Sequence, residues 1–403
     1  MSATHSRRDV LLATNALAGV DARALARVLE LVTPNPGAAR ADRDAELDPR
    51  DLARRAGLAD EVAAELALRL RESFPAREAE RVLALGGWIL VRGEPGYPAA
   101  LETIADAPMV LYGQGTLPGA GRAVIAIVGA RRASRYGLAQ AERFAYLLGA
   151  LGAVVVSGLA RGIDAAAHTG CLDAGGSTIA VLGSGLDVVY PREHAALARR
   201  IAEHGGAVVS EFPLGTPPLP WHFPRRNRII AGLAAGVVVV EAAAKSGSLV
   251  TARLALDAGR EVMAMPGPID APGSAGPHQL IRDGAILVGG IDDVVAAVPS
   301  LVAQLARTSR GAADAPAGPR PDRTEDAAAA TRDDPGGRNA DGPDPERARV
   351  LAALSDDPVP LDEVAHATRL PLPRVMALLC LMSLAGLVVE HPGQRYSRTR
   401  WAA

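Results

Sequence analysis

Between residues 123 and 298 the chain alternates short apolar runs with stretches of helical period. The runs fall at 124–128, 153–156, 178–182, 207–209, 237–240 and 262–265 and carry almost no polar residue. Each predicts a strand buried on both faces, as in a parallel sheet covered by helices. Strands alternating with helices predict βαβ units and a Rossmann-like, doubly wound, mostly parallel α/β sheet. Ahead of it, Val10, Leu11 and Leu12, then Leu25, Val28, Leu29 and Leu31, recur at helical spacing. Short helices are expected around 48–57 and 60–70, with Asp48 and Asp60 as N-caps, and another over 78–88. Extended runs follow at 89–92 and 108–113. Beyond the sheet, residues 312–345 are rich in Ala, Asp, Pro, Gly and Arg and cannot bury a core, which predicts a disordered linker. Helical patterns over 347–354, 361–368 and 371–387 precede two extended pieces around His391-Pro392-Gly393-Gln394. Three helices and a hairpin predict a winged helix-turn-helix. The expected domains are 1–118 (helical), 119–305 (the sheet), 306–345 (linker) and 346–403 (winged helix).

Composition narrows the functional classes. With 403 residues and 49% hydrophobic content, more than one core is expected. The formal net charge is -2, so any nucleic-acid contact must come from a local basic patch. Cys171 and Cys380 lie in apolar helical contexts without metal-ligand spacing, and read as small core residues in a reducing compartment. No stretch is long and apolar enough to span a membrane, and Met1 to Arg8 leads into no signal-peptide pattern, so a cytoplasmic protein is expected.

On a doubly wound sheet, ligands bind at the carboxyl ends of the strands. The residues there are cationic, small or hydroxylated. Gly129, Arg131, Arg132 and Ser134 follow the first strand and open a helix whose N-terminus favours anions. Ser157, Gly158, Arg161 and Gly162 follow the second; Asp164 there reads as an N-cap or a site residue, and His168 as structural. The third ends in Gly183-Ser184-Gly185 without the third glycine of a dinucleotide fingerprint, and no phosphate-loop lysine motif is present. The densest cluster is Arg225, Arg226, Asn227 and Arg228, just ahead of the fifth strand. Like charges gathered so closely call for an anion, and guanidinium forks match phosphate oxygens. Arg225 and Arg228 share a helical face as the expected phosphate ligands, with Arg226 turned away. The competing arrangements are a solvated basic helix start, or an arginine paired with Glu211 or Glu241 to hold the sheet edge. After the fifth strand, Lys245, Ser246, Gly247 and Ser248 open a further helix. So many donors suit a ligand with several phosphates. Tyr136, Tyr190, Phe212, Trp221 and Phe223 stack bases or simply pack.

Taken together, the segments 128–137, 157–168, 176–191, 210–211, 223–232, 240–251 and 266–285 resemble the DNA-processing protein A family (DprA, also called Smf). The chain departs from the family pattern at His194 and His278. The resemblance implies a cytosolic protein that binds single-stranded DNA, protects incoming strands in natural transformation, helps load the RecA recombinase and forms homodimers through the Rossmann-like domain. It also implies an N-terminal domain of sterile-alpha-motif or helix-hairpin-helix type. By motif match the DNA pocket includes Gly129, Arg131, Ser134, Arg161, Arg225, Asn227, Arg228, Lys245 and Ser246; Ser157, Gly158, Gly247 and Ser248 join it from the strand-end chemistry. No cofactor, metal ligand or catalytic residue is expected. The alternative is a nucleotide phosphoribohydrolase of the lysine-decarboxylase-like group, with Glu241, Arg228 and Ser246 as its site; the chain lacks the PGGxGT loop of that group.

Overall fold

The computed structural model describes residues 5–17, 20, 22–32, 48–119, 121–313, 345–370, 372–384, 387–391 and 395–399. Among the described residues five helices lead: α1 (Arg7–Asn15), α2 (Ala22–Val32), α3 (Pro49–Arg55), α4 (Asp60–Arg71) and α5 (Phe74–Ala84). Then come β1 (Gly87–Val91), α6 (Ala99–Glu102), β2 (Val110–Gly115), β3 (Val124–Val128), α7 (Arg135–Ala150), β4 (Val154–Ser157), α8 (Ile163–Asp173) and β5 (Ser177–Val181). They are followed by α9 (Ala195–Glu203), β6 (Ala207–Ser210), α10 (His222–Leu233), β7 (Gly236–Val239), α11 (Gly247–Asp257), β8 (Glu261–Ala264), α12 (Ala275–Arg282), β9 (Ile286–Leu287), α13 (Ile291–Ala297) and α14 (Pro299–Ala313). Asp48 caps α3 as expected, accepting from the Arg50 amide. Asp60 does not cap α4: it is the first helical residue, and Ala59 stands at the N-cap without a side-chain bond. No described helix is long and apolar enough to cross a membrane.

The nine strands form one sheet in the order β1-β2-β6-β5-β4-β3-β7-β8-β9. From β6 to β9 every neighbouring pair is parallel. The chain winds from β3 through β4 and β5 to β6, then returns to place β7 on the other side of β3. The carboxyl ends of β3 and β7 therefore flank the switch point where such sheets bind ligands. Alternate residues of each strand enter opposite cores. Val154, Val156, Ile179, Val181, Val237 and Val239 share one core with Ile229, Ile230 and Leu233 of α10 and Ala252 and Ala255 of α11. Ala180 and Val208 belong to another, with Ile201 of α9 and Val10, Leu11 and Leu12 of α1.

That second core corrects the expected domain break at 118/119. β1 and β2 are not part of a separate helical domain. β2 pairs antiparallel with β6, from Tyr112 opposite Ser210 to Gly115 opposite Ala207, and β1 pairs antiparallel with β2. Residues 5–300 thus fall in one compact unit, Met1–Ser300. The physical reason is the free edge of β6, which β2 covers while Val110 and Tyr112 enter the core that α1 closes.

The second unit is Leu301–Ala403. α14 continues to Ala313, so residues 306–313 are helical rather than linker; the rest of the expected linker, 314–344, lies outside the described residues. α15 (Pro345–Ala353), β10 (Val359–Pro360), α16 (Leu361–Thr368), α17 (Leu372–Leu384), β11 (Val388–His391) and β12 (Arg395–Arg398) make the winged helix. β12 pairs with both β11 and β10, over a core of Val350, Leu361, Val364, Leu379 and Met382. The tip of the hairpin, 392–394, lies outside the described residues. Because the first unit has its own cores, removing residues 314–403 is expected to leave one cooperative thermal transition and unchanged DNA affinity. Calorimetry of the shortened chain checks this; a broad, non-cooperative transition would contradict it.

Candidate nucleic-acid interface

At the switch point lies a cavity of about 440 Å³. Gly129 and Arg131 after β3, Asp164 of α8, Phe223, Arg226 and Asn227 of α10, and Ser246, Gly247 and Ser248 at the start of α11 line it. Gly129 lets the backbone after β3 pack closely against its neighbours. A Cβ there would sit 2.6 Å from Ile163 Cγ1 and 2.9 Å from the Glu241 carbonyl, distances no side chain tolerates. Ser246 caps α11, accepting from the Ser248 amide, and the two hydroxyls lie 2.7 Å apart. The helix start thus sets the Gly247 amide and the paired hydroxyls of Ser246 and Ser248 at the cavity wall, an arrangement that suits phosphate. The exposed Arg131 guanidinium lies 5.2 Å from the Phe223 ring centroid, and Tyr190 packs against Phe223 at 5.6 Å. Cation and aromatic faces are offered side by side.

Helix α10 divides the arginine cluster. Phe223, Arg226, Asn227 and Ile230, at i, i+3, i+4 and i+7, form one stripe and face the cavity. Arg225 and Arg228 belong to the other face and line a separate cavity with Glu211, Asp106 and Arg92. Arg228 forms a bidentate pair with Glu211, Nη1 to Oε1 at 2.9 Å and Nη2 to Oε2 at 2.8 Å, and its Nε lies 3.0 Å from Asp106. Arg225 adds Nη2 at 3.0 Å from the same carboxylate. The Glu211 side chain is 1% exposed. Neither of the two expected phosphate ligands, Arg225 and Arg228, lines the strand-end cavity. Both take the competing arrangement, pairing with Glu211, since a buried carboxylate calls for a cation.

Arg226, expected to be turned away and to matter less, lines the cavity instead. Arg226 is 4% exposed. Its Nη1 donates to the Gly158 carbonyl at 2.7 Å and to the Val181 carbonyl, tying the ends of β4 and β5 to α10. Burial lowers its pKa to about 10 against the attraction of Asp164. Asp164 is not the N-cap of α8, which is Gly162. Its carboxylate accepts from the Gly158 amide at 3.1 Å and the Ala160 amide at 3.4 Å. Burial raises its pKa, opposed first by Arg226. His168 is structural: it is fully buried, bonded to Thr178 Oγ1 at 2.7 Å, and burial drives its pKa to about 3. The signal for Arg226 was present in the sequence. Taking the helical phase from the apolar Phe223 and Ile230, rather than from Arg225, puts it on the inner face.

The remaining site residues separate. Gly158 and Arg161 line a smaller pocket that shares Arg131, Tyr190, Phe223 and Arg226 with the main cavity. Arg161 is half exposed and pairs with Glu193 at 2.5 Å. Lys245 is exposed, immediately before Ser246. Asn227 Nδ2 reaches the Gly247 carbonyl at 3.3 Å. Ser157 is fully buried, its hydroxyl committed to the Ile127 carbonyl at 2.6 Å, and so cannot meet a ligand. Ser134 caps α7, accepting from the Gly137 amide at 3.0 Å, while its hydroxyl and amide both donate to Glu241. Glu241 is therefore occupied as the anion at the N-terminus of α7, which disfavours its use as the acid or base of a phosphoribohydrolase.

Comparison with known proteins places this architecture. The family model described as DNA recombination-mediator protein A matches residues 88–299, and one described as the DprA winged helix domain matches 319–394. Protein Smf of Escherichia coli is 44% identical over 306 residues, 76% of each chain. DNA processing protein DprA of Bacillus subtilis is 44% identical over 205 residues, 50% of this chain and 68% of that one. The X-ray structure of DprA from Streptococcus pneumoniae superposes with a TM-score of 0.63 at 35% identity, covering 73% of this chain and 99% of that one. With the sheet, the winged helix and more than half of the sequence matched, the chain belongs to the DNA recombination-mediator protein A family, the DprA or Smf DNA-processing proteins.

Proposed function

We propose that the protein binds single-stranded DNA at the carboxyl ends of β3 and β7. The observation that carries this reading is the exposed Arg131 guanidinium beside Phe223 and Tyr190, facing the N-terminus of α11 across one cavity. A flexible strand sets a phosphate against Arg131 and the start of α11 at Gly247 and turns a base onto the rings. Gly129, Asn227 and Lys245 complete this track, Gly158 and Arg161 extend it along the smaller pocket, and Arg226 holds its floor. A duplex cannot present bases in this way, because its bases are stacked inside. In this reading the protein works in the cytoplasm, shields incoming strands and helps load RecA recombinase in transformation or homologous recombination. Membership of a recombination-mediator family supports that role. A homodimer is supported by the sheet edge at β9, where Leu287 is 50% and the nearby Leu256 59% exposed.

Gel-shift titration with single strands and with duplex of the same sequence, across a salt series, tests the reading. Single strands are expected to bind much more tightly, with log affinity falling linearly against log salt. Equal affinity for both forms at physiological salt would count against it.

A further inference from the structure

Trp221, directly ahead of α10, is 65% exposed. A ring that size buried against a ligand or a core contributes strongly, so leaving it in water needs a reason. It does not line the cavity, although its neighbours Pro220 and Phe223 do. Its indole meets His222 edge-on at 6.0 Å, His222 stacks on Phe212 at 4.2 Å, and the Arg225 guanidinium lies 5.4 Å from the Phe212 centroid. Trp221 and Arg225 stand four residues apart, so they share a face. Arg225 uses Nε and Nη2 on Glu211, at 3.1 and 3.0 Å, and its side chain remains 41% exposed. Its Nη1 has no partner among the described residues. The segment leading into Trp221 contains Pro217, Pro218 and Pro220, whose fixed φ angles hold it in place, and His222 Nδ1 anchors to the Pro217 carbonyl at 3.1 Å. An exposed, pre-positioned ring thus sits one turn from a half-free guanidinium, just over the rim of the cavity.

We propose that Trp221 and Arg225 form a further nucleotide subsite outside the cavity. The strand leaving the cavity over Pro220 stacks one base on the indole and sets one phosphate against Arg225 Nη1. The inference rests on the reading that the cavity holds single-stranded DNA. It returns Arg225 to DNA contact by a different route, as a shared guanidinium whose main partner is Glu211. Aromatic stacking tolerates any base, so the subsite adds affinity without sequence preference.

The test uses the full chain and oligothymidylates of increasing length, read by fluorescence anisotropy. Trp221→Ala is expected to leave the shortest oligomers that bind unaffected and to weaken longer ones about 5- to 150-fold, the range for losing one stacked base. Trp221→Phe is expected to restore most of the loss. Tryptophan emission of the wild type is expected to fall on binding long oligomers, and this quenching to vanish in Trp221→Phe. Because the ring is exposed, both variants are expected to keep the wild-type melting temperature. Unchanged affinity of Trp221→Ala at every length, with the wild type binding normally, would overturn the subsite and leave the cavity reading standing. An equal loss at every length would also overturn it, since the ring would then belong to the cavity. A shift in oligomeric state without a change in DNA affinity would make the patch a protein contact and overturn it as well. If wild-type protein binds no oligomer of any length, the cavity reading itself fails.

Discussion

Replacing Arg226 with methionine is expected to lower the unfolding free energy of the first unit by about 2–6 kcal/mol, at roughly 1–3 kcal/mol for each of the two buried carbonyls left without a donor. The cost has two sources. The Gly158 and Val181 carbonyls lose their donor, and Asp164 loses the cation that opposes its burial. The second source gives the loss a pH signature. The folded-state pKa of Asp164 already lies above its ordinary 3.8, and without Arg226 it rises further. A group whose pKa is raised by folding stabilises fully below its unfolded pKa and loses that contribution as pH rises through the folded value. The deficit of the variant is therefore expected to be smaller at about pH 5 than at about pH 8. Urea denaturation at both values checks the sign. Adding Asp164→Asn is expected to recover part of the loss and flatten the pH dependence, because the buried charge without a nearby cation is gone. A deficit independent of pH, unaffected by Asp164→Asn, would mean that the carbonyl bonds alone carry the effect.

The second large effect falls on binding. Arg131→Ala is expected to weaken single-stranded DNA by about 1.5–3 kcal/mol, the range for a hydrogen bond to a charged group, or roughly 10- to 150-fold. Its guanidinium is exposed and its recorded contact is the face of Phe223, so folding does not depend on it. The melting temperature is expected to stay within about 2 °C of wild type, as for ordinary surface substitutions. The loss is expected to be nearly uniform across sequences, because phosphate contacts carry no base information.

Much of the fold was legible because its strands are short apolar runs set between helical patterns. The six central strands lie within about a residue of their expected positions. The antiparallel extension was not, since β1 and β2 show which sheet they join only through the distant pairing of β2 with β6. The same distance hid the fate of the arginines. Glu211 lies 14 residues before Arg225 and 17 before Arg228, beyond any periodic pattern, so the pairing cannot be read locally. Gly129 and the Ser246–Ser248 turn do line the cavity at the switch point. Ser134 and Ser157 have the same chemistry, yet their hydroxyls serve Glu241 and the Ile127 carbonyl. Residue type marks a candidate ligand; only the fold decides whether its donors are already taken.

The central claim is that Arg228 of α10 is held by Glu211 for structure while Arg131 across the cavity meets DNA, and the salt dependence of binding by Arg131→Ala and Arg228→Ala tests it most directly. Both variants are measured against wild type on the same preparation, with melting temperatures alongside. Arg131→Ala is expected to lower the slope of log affinity against log salt by about 0.7, the single-strand value for one neutralised phosphate, with its melting temperature kept. Arg228→Ala is expected to leave that slope unchanged and to lose several degrees of melting temperature, because it uncovers Glu211. The reverse pattern, a lower slope for a fully stable Arg228→Ala and an unchanged slope for Arg131→Ala, would contradict the account.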